Sequence, residues 1–370
     1  MESKSGLYIH VPFCASKCPY CDFYSTRDQS LVPVWLESLE REIHLYRDFS
    51  LPFDTIYFGG GTPTLLSEKQ LAHLMGSLRG HFSFTPDAEV SIEANPDDIH
   101  ESKLGFLREL GFNRISLGVQ SFSDPELVFL KRRHSAEEAA RAIERIREAG
   151  FKNLSLDLMV GMPGQDLASW KATLKKALSF KPEHLSCYQF TIEPGTPFGI
   201  LKEKGALGEC PESEGEMFFL TSSQYLAEQG YLHYEISNFA REEDHRCRHN
   251  LKYWQRLPYL GLGPSAHSFC GNERWWNVRS IKKYSQTLQE RRPPLEGREW
   301  LNDDQIRIEK LFLGFRTSEG VGLEEIGGIL QYRETLAEFQ RLGLMTVAHG
   351  RAVPTRQGFL VADQLPQRLC

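Results

Sequence analysis

Cys14, Cys18 and Cys21 fall within one short stretch, Tyr8 to Phe23, where an apolar run passes straight into a loop. Thiolates so close together are ligands for soft metal centres. Three of them, rather than four, leave one iron of a bound iron-sulfur cluster without a protein ligand, and such an iron can take a small molecule. On spacing alone two other uses stay open: a structural zinc site completed by His10, and a cysteine pair able to oxidise.

Other residues able to do chemistry follow in order. Gly59-Gly60-Gly61-Thr62-Pro63 is either a tight turn or a place where a ligand approaches the backbone and offers an ammonium group to its carbonyls. Glu93 and Asp157 lie in apolar surroundings, where a carboxylate needs a cation or hydroxyl partner from an ion pair or from a ligand. Arg132 sits in the basic run Lys131 to His134, which taken alone is a solvated patch ahead of a helix.

The elements that would hold these groups alternate. Strand-like runs at 7–11, 55–58, 89–93, 114–117, 154–159 and 184–190 are separated by amphipathic helical stretches at 34–46, 67–78, 103–110, 136–149 and 168–178. That alternation predicts an α/β fold, a partial (β/α)6 TIM-like barrel with a parallel sheet and helices outside. Ligands of such folds gather at the carboxyl ends of the strands. The cysteine loop, the glycine turn, Glu93 with Asn95, and Gln120 fall at those ends, while Asp157 lies on the fifth strand.

Residues 1–200 are expected to form the barrel and 201–294 a segment associated with it, closed by the linker Arg291-Arg-Pro-Pro294. Apolar positions at Ile306 to Phe315 and Leu336 to Leu344 predict two helices, followed by a hairpin turning at His349-Gly350. Residues 295–370 thus read as a small α+β, winged-helix-like domain acting as a lid or partner-docking unit.

At 41% hydrophobic residues over 370 positions, the chain can bury a large core. A net charge of -6 offers no general attraction to nucleic acid. No long uninterrupted apolar run or signal-like N-terminus occurs, and clustered thiols suit a reducing compartment, so a cytoplasmic location is expected. Cys187, Cys210, Cys270 and Cys370 are expected to be ordinary thiols.

Taken in order, the cysteine loop, the glycine turn, Glu93-Ala-Asn-Pro, Ser116-Leu-Gly-Val-Gln-Ser-Phe, Arg132 with His134, and Asp157-Leu-Met-Val-Gly-Met-Pro-Gly resemble the radical S-adenosylmethionine (SAM) superfamily. The branch is the coproporphyrinogen oxidase-like one that contains the HemN and HemW families. The resemblance runs from Gly6 to Tyr284. It implies a 4Fe-4S cluster on Cys14, Cys18 and Cys21, and a SAM site drawn from Tyr8, Tyr20, Gly60, Gly61, Thr62, Glu93, Gln120, Arg132 and Asp157.

Two departures separate the chain from HemN-type oxidases. Phe23 stands where those carry a further cysteine, and no long arm precedes the first strand. Instead, Cys247-Arg-His249-Asn250-Leu-Lys-Tyr253-Trp254 is similar to the His-Asn-x-x-Tyr-Trp motif of the HemW family, heme-binding proteins that deliver heme to respiratory enzymes. Imidazole and thiolate are both axial ligands of heme iron, and two nearby aromatics suit a porphyrin face. His249 is therefore the expected heme ligand and Cys247 the second choice, with His245 and His267 as further candidates. The competing reading makes Tyr253 and Trp254 core aromatics and His249 a hydrogen-bonded loop residue. The resemblance further implies heme-accepting respiratory proteins as partners, a reductant such as a flavodoxin or ferredoxin, a homodimer, and at most transient membrane contact. It leaves open a radical enzyme acting on a tetrapyrrole.

Overall fold

The computed structural model of the protein describes residues 4–327 and 329–369. Six parallel strands lie side by side in chain order: β1 (Ser5–Val11), β2 (Phe53–Gly60), β3 (Phe84–Ala94), β4 (Arg114–Gln120), β5 (Leu154–Val160) and β6 (His184–Gln189). Helices α1 (Val32–Leu45), α2 (Glu68–His81), α3 (Glu101–Glu109), α4 (Asp124–Phe129), α5 (Ala136–Glu148) and α6 (Leu167–Ser179) make the crossovers. This is the expected partial barrel.

Local chemistry sets the boundaries. Ser67 and Gln70 form a capping box that starts α2, and Ser135 and Glu138 form another at α5. In α5, Ala139, Ala142, Ile143 and Ile146 recur at helical spacing and are buried, so one face docks on the sheet. In β1, Leu7, Ile9 and Val11 belong to the same core as Trp35, Leu39 and Ile43 of α1. Alternation turns the intervening Tyr8 and His10 to the opposite, inner face.

The sheet continues beyond these six. After α7 (Pro197–Glu203) and α8 (Glu212–Glu228) come β7 (Leu232–Glu235) and β8 (Asn238–Ala240), which add antiparallel beside β6. The short helix α9 (Arg248–Trp254) leads into β9 (Tyr259–Leu262), which pairs parallel with β1, Gly6 lying opposite Tyr259. Then β10 (His267–Cys270), β11 (Glu273–Asn277), α10 (Ile281–Gln289) and β12 (Leu295–Trp300) extend that edge. Twelve strands run in the order β12-β11-β10-β9-β1-β2-β3-β4-β5-β6-β8-β7, an open sheet.

Residues 295–300, expected in the C-terminal unit, thus pair with β11 in the large sheet. Past them, α11 (Asp303–Gly314), β13 (Val321–Gly322), α12 (Ile329–Arg341), β14 (Met345–Ala348), β15 (Arg351–Pro354) and α13 (Arg356–Leu360) surround a second apolar core that includes Leu311, Phe315, Leu336 and Phe339. The small sheet has the order β13-β15-β14, and its hairpin turns at His349-Gly350 with φ of 50° and 75°. Two successive left-handed residues make the tight turn that matches the twist of a hairpin. Among the described residues no helix is long and apolar enough to cross a membrane. Cys187 is buried, Cys210 and Cys270 are half-buried, and all three are free, whereas Cys370 lies outside the described residues.

Candidate functional site

The cysteine loop leaves β1 and is tied at two points. Cys14 N–H donates to Thr26 O at 2.9 Å and Thr26 N–H to Pro12 O at 2.8 Å, while Phe198 N–H holds Pro19 O at 3.0 Å. The glycine turn after β2 lies directly alongside, with Gly61 N–H donating to Val11 O and Thr62 N–H to Phe13 O. A Cβ on Gly61 would stand 2.5 Å from the Phe13 carbonyl, and one on Gly60 2.6 Å from the His10 ring, so close approach demands glycine at both.

A single hydrogen-bond chain links two of the cysteines. Thr62 Oγ1 lies 3.8 Å from Cys14 Sγ and accepts from Asn95 Nδ2 at 3.0 Å. Arg132 donates to Asn95 Oδ1, to Gly118 O at 2.9 Å and to Cys18 Sγ at 3.5 Å. Arg132 is thus drawn out of the basic run into the site. All three thiols are free; burial raises the pKa of Cys14 and Cys21, and the three sulfurs add to this by mutual repulsion. Among the described residues no three metal-ligating side chains already stand in closed metal geometry. His10 is turned away from the thiols: its Nε2 donates to Tyr24 O at 2.8 Å and its Nδ1 meets the Tyr8 hydroxyl at 3.1 Å.

The thiols open on a cavity of about 580 Å³ that runs down the barrel. Cys14, Cys18, Cys21, Tyr20, Gly60, Gly61, Thr62, Glu93, Gln120, Arg132 and Asp157 all line it. Glu93 accepts from the Tyr57 hydroxyl and the Gly60 amide, each at 3.0 Å, and Asp157 from the Ser116 hydroxyl at 3.0 Å. Burial, reinforced by Asp157, pushes Glu93 up to about 7, and burial also raises Asp157. Neither carboxylate has an ion-pair partner among the described residues, so the cavity favours a ligand bearing positive charge and hydroxyls. SAM, with its sulfonium, ammonium and ribose, has that chemistry, and a volume of this size suits one ligand of its bulk. Tyr8, by contrast, is absent from the lining; its ring stacks on Tyr57 and His249.

The cavity ends on a polar floor that, Cys247 and Asn250 apart, no local sequence signal announced. Arg114, Ser155, His184, Ser186, Cys247 and Asn250 line it. His184 bonds Ser155 Oγ at 2.7 Å and the Tyr234 hydroxyl at 2.8 Å, and that hydroxyl accepts from Cys247 N–H at 3.2 Å. Arg114 donates to His245 O at 3.0 Å.

Helix α9 is pinned beneath. Glu89 accepts from the amides of Arg248 and His249 at 3.3 and 3.2 Å, a carboxylate at a helix N-terminus, and Lys252 pairs with Asp54 at 2.6 Å. His249 itself is 1% exposed. Its Nδ1 lies 2.8 Å from Thr55 Oγ1 and its Nε2 2.8 Å from the Tyr253 hydroxyl, with Tyr57 stacked at 5.2 Å. Burial holds its pKa down to about 3, so the ring is neutral and its one lone pair is taken by a hydroxyl. Cys247 is buried against Glu89, with its thiol pushed up to about 12 by burial. Of the motif expected to face a porphyrin, His249 and Cys247 are buried, Asn250, Tyr253 and Trp254 are half-buried, and Cys247 and Asn250 line the cavity.

The sequence profile of the Radical SAM superfamily matches residues 8–177. A heme chaperone HemW from Bacillus subtilis is 39% identical over 369 residues, covering 97% of each chain. One from Mycobacterium tuberculosis is 35% identical over 372 residues, covering 98% of this chain and 94% of that one. Among solved structures, coproporphyrinogen III oxidase (HemN) from Escherichia coli, described as a radical SAM enzyme, superposes with a TM-score of 0.82 at 26% identity, covering 100% of this chain and 90% of the other.

Proposed function

This chain belongs to the heme chaperone HemW family of radical SAM proteins, and from that membership we propose that it binds heme and hands it to heme-accepting respiratory proteins. The scaffold carries a 4Fe-4S cluster and SAM. Cys14, Cys18 and Cys21 would hold the cluster, three thiolates for a group that would bind SAM beside them. When bound, that pair supplies an electron and a carbon-sulfur bond that the electron can break.

The protein's own residues do the positioning. Gly60 and Gly61 bring backbone close enough to meet a ligand's ammonium group, and Thr62 sits in the chain that ties Asn95 to Cys14. Glu93 and Asp157 meet positive charge and hydroxyls, Gln120 and Tyr20 line the walls, and Arg132 bridges Cys18 to β4. Tyr8 supports this site from beneath rather than touching it. The working context is a cytoplasmic protein, forming a homodimer, served by a reductant such as a flavodoxin or ferredoxin, in transient contact with membrane-bound acceptors and without nucleic acid.

The observation that carries the choice of chaperone over oxidase is end-to-end similarity to HemW chains, coupled with Phe23, 67% exposed, in place of the oxidases' further cysteine. The deciding experiment supplies the cluster-loaded protein with SAM and reductant, and offers hemin and coproporphyrinogen III separately. Saturable hemin binding without porphyrinogen decarboxylation is expected. Turnover of the porphyrinogen would instead make the chain an oxidase.

A further inference from the structure

The hydrogen-bond chain behind the cysteine loop runs through one uncharged side chain, Asn95. It follows β3 directly and opens the short turn Pro96–Asp98, the position at which an asparagine ordinarily caps a helix with its own side chain. Here no side-chain cap forms, and the turn is closed by backbone alone, with Asp98 N–H donating to Asn95 O at 3.0 Å. The amide is turned instead toward Thr62 and Arg132. Asn95 is half-buried and lines the barrel cavity on one side and, on the other, a small opening of about 20 Å³ that also reaches Cys18.

Donor and acceptor roles along the chain fix one another. Arginine can only donate, so the Asn95 atom facing Arg132 is the amide oxygen and the atom facing Thr62 is the amide nitrogen. The Thr62 hydroxyl therefore accepts from Asn95 at 3.0 Å, and its single proton is left for Cys14 Sγ, 3.8 Å away. Thr62 is buried, so solvent competes little for that proton. On the other arm, Asn95 Oδ1 and Gly118 O both hold Nη2 of Arg132, which leaves Nη1 on Cys18 Sγ at 3.5 Å. One amide thus orients two donors onto two of the three sulfurs. Cys21 takes its hydrogen bond from backbone, at Phe23. The Ser25 and Tyr20 hydroxyls lie beside Cys14 and Cys18 as well, so the amide governs part of the hydrogen bonding at these sulfurs and not all of it.

We propose that Asn95 is a positioning residue that sets the reduction potential of the cluster, by aiming the Thr62 hydroxyl at Cys14 and the Arg132 guanidinium at Cys18. Hydrogen bonds to ligand sulfurs stabilise the more negative, reduced state and so raise the potential, which eases entry of the electron. This inference rests on the cluster assignment of the three cysteines and is independent of the heme reading. It gives Thr62 and Arg132 a task toward the sulfurs in addition to any contact with SAM.

A reductive titration of the full-length, cluster-loaded protein without SAM, followed by electron paramagnetic resonance, tests it, with iron and sulfide content as the check on loading. Asn95→Leu keeps the shape of the side chain and removes both polar atoms. It should titrate at a more negative potential, the reduced-to-oxidised ratio at the wild-type midpoint falling by at least about threefold. Asn95→Asp should lower the potential further, because the carboxylate draws the Thr62 proton away from Cys14 and adds negative charge. Thr62→Val should also lower the potential, whereas Thr62→Ser, which keeps the hydroxyl, should titrate as the wild type does. Because Asn95 acts partly through Thr62, the shift of the Thr62→Val, Asn95→Leu double variant should fall short of the sum of the single shifts. A wild-type potential in fully loaded Asn95→Leu, strict additivity in the double variant, or equal shifts for Thr62→Ser and Thr62→Val would each overturn the inference. Where Asn95→Leu loads poorly, the Thr62 pair decides alone. A wild type that holds no cluster removes the cluster assignment first and the inference with it.

Discussion

Replacing His249 with alanine should cost the protein stability. The ring fills space between Tyr57 and Tyr8 on the floor of the barrel, and its two nitrogens hold the Thr55 and Tyr253 hydroxyls. Truncating a buried side chain of that size costs about 2–4 kcal/mol through lost contacts and the cavity left behind. Each hydroxyl left without its partner adds about 1 kcal/mol, reduced where a water can enter the space. The sum is about 4–6 kcal/mol, nearer 4 where water enters, against about 0.5 kcal/mol or less for an exposed histidine that touches nothing. Urea unfolding of the cluster-free protein reads the difference as a lower midpoint at unchanged slope. His249→Gln, which keeps one hydrogen bond and most of the volume, should lose about half as much. A loss below about 1 kcal/mol for the alanine variant would refute the reasoning that α9 is a structural plug, because no fully buried, doubly bonded ring can be removed so cheaply.

Three further outcomes follow from the same geometry. Cys18→Ala should abolish cluster retention, read as iron and acid-labile sulfide after reconstitution, and SAM binding should vanish with it; retention of zinc in stoichiometric amount by the wild type would favour a structural metal site. Gly61→Ala should disorder the cysteine loop and cut iron content severalfold, because its Cβ must displace the Phe13 carbonyl 2.5 Å away; unchanged iron content would show that the loop yields easily. Stability without cluster or SAM should fall as pH rises from about 6.5 to 8, because burial lifts Glu42, Glu93 and Glu235 to about 7. A carboxyl whose folded pKa is raised favours folding below its unfolded pKa, and that gain is lost as pH climbs through the folded value; each group gives up about 1 kcal/mol over this window. The buried histidines His10, His233 and His249, held at about 4 or below, oppose this up to about pH 7, where the unfolded imidazoles finish losing their protons, so the fall is cleanest above about 7. Glu42→Gln should flatten the slope by its share, whereas an unchanged slope would mean that Glu42 ionises freely when folded.

The barrel was legible because its strands and helices repeat a strong periodic pattern, and the ligand-bearing loops follow the strands directly. Helix α5 reads from Ala139, Ala142, Ile143 and Ile146 alone. The extension of the sheet was not legible. Strands β7 to β11 are three to five residues long, too short for alternation to stand out, and β9 finds β1 across most of the chain. Helix α8 was missed because Glu212, Ser213, Glu214 and Glu216 crowd its start and blur its apolar face. At the site, the three cysteines, Glu93 and Asp157 announced themselves as clustered thiols and costly carboxylates. Arg132, a surface residue by its basic run alone and placed in the SAM site only by the resemblance, is carried inward where the chain turns at Lys131, with φ of 53°. Arg114, His184 and Asn250 come together only through tertiary packing of β4, β6 and α9. His249, expected as a heme ligand with a hydrogen-bonded residue as the competing reading, is buried between two hydroxyls, an environment that a lone histidine in a sequence does not reveal.

The central claim is that this chain gives heme away. Mixing the hemin-loaded, cluster-bearing protein with a heme-depleted b-type respiratory protein, and following acceptor activity alongside the Soret bands of both partners, measures it directly. The account predicts that the donor band declines as the acceptor band and activity appear, faster than with the same concentration of free hemin. Heme that stays on the donor, or an acceptor that fills no faster than from free hemin, would contradict it.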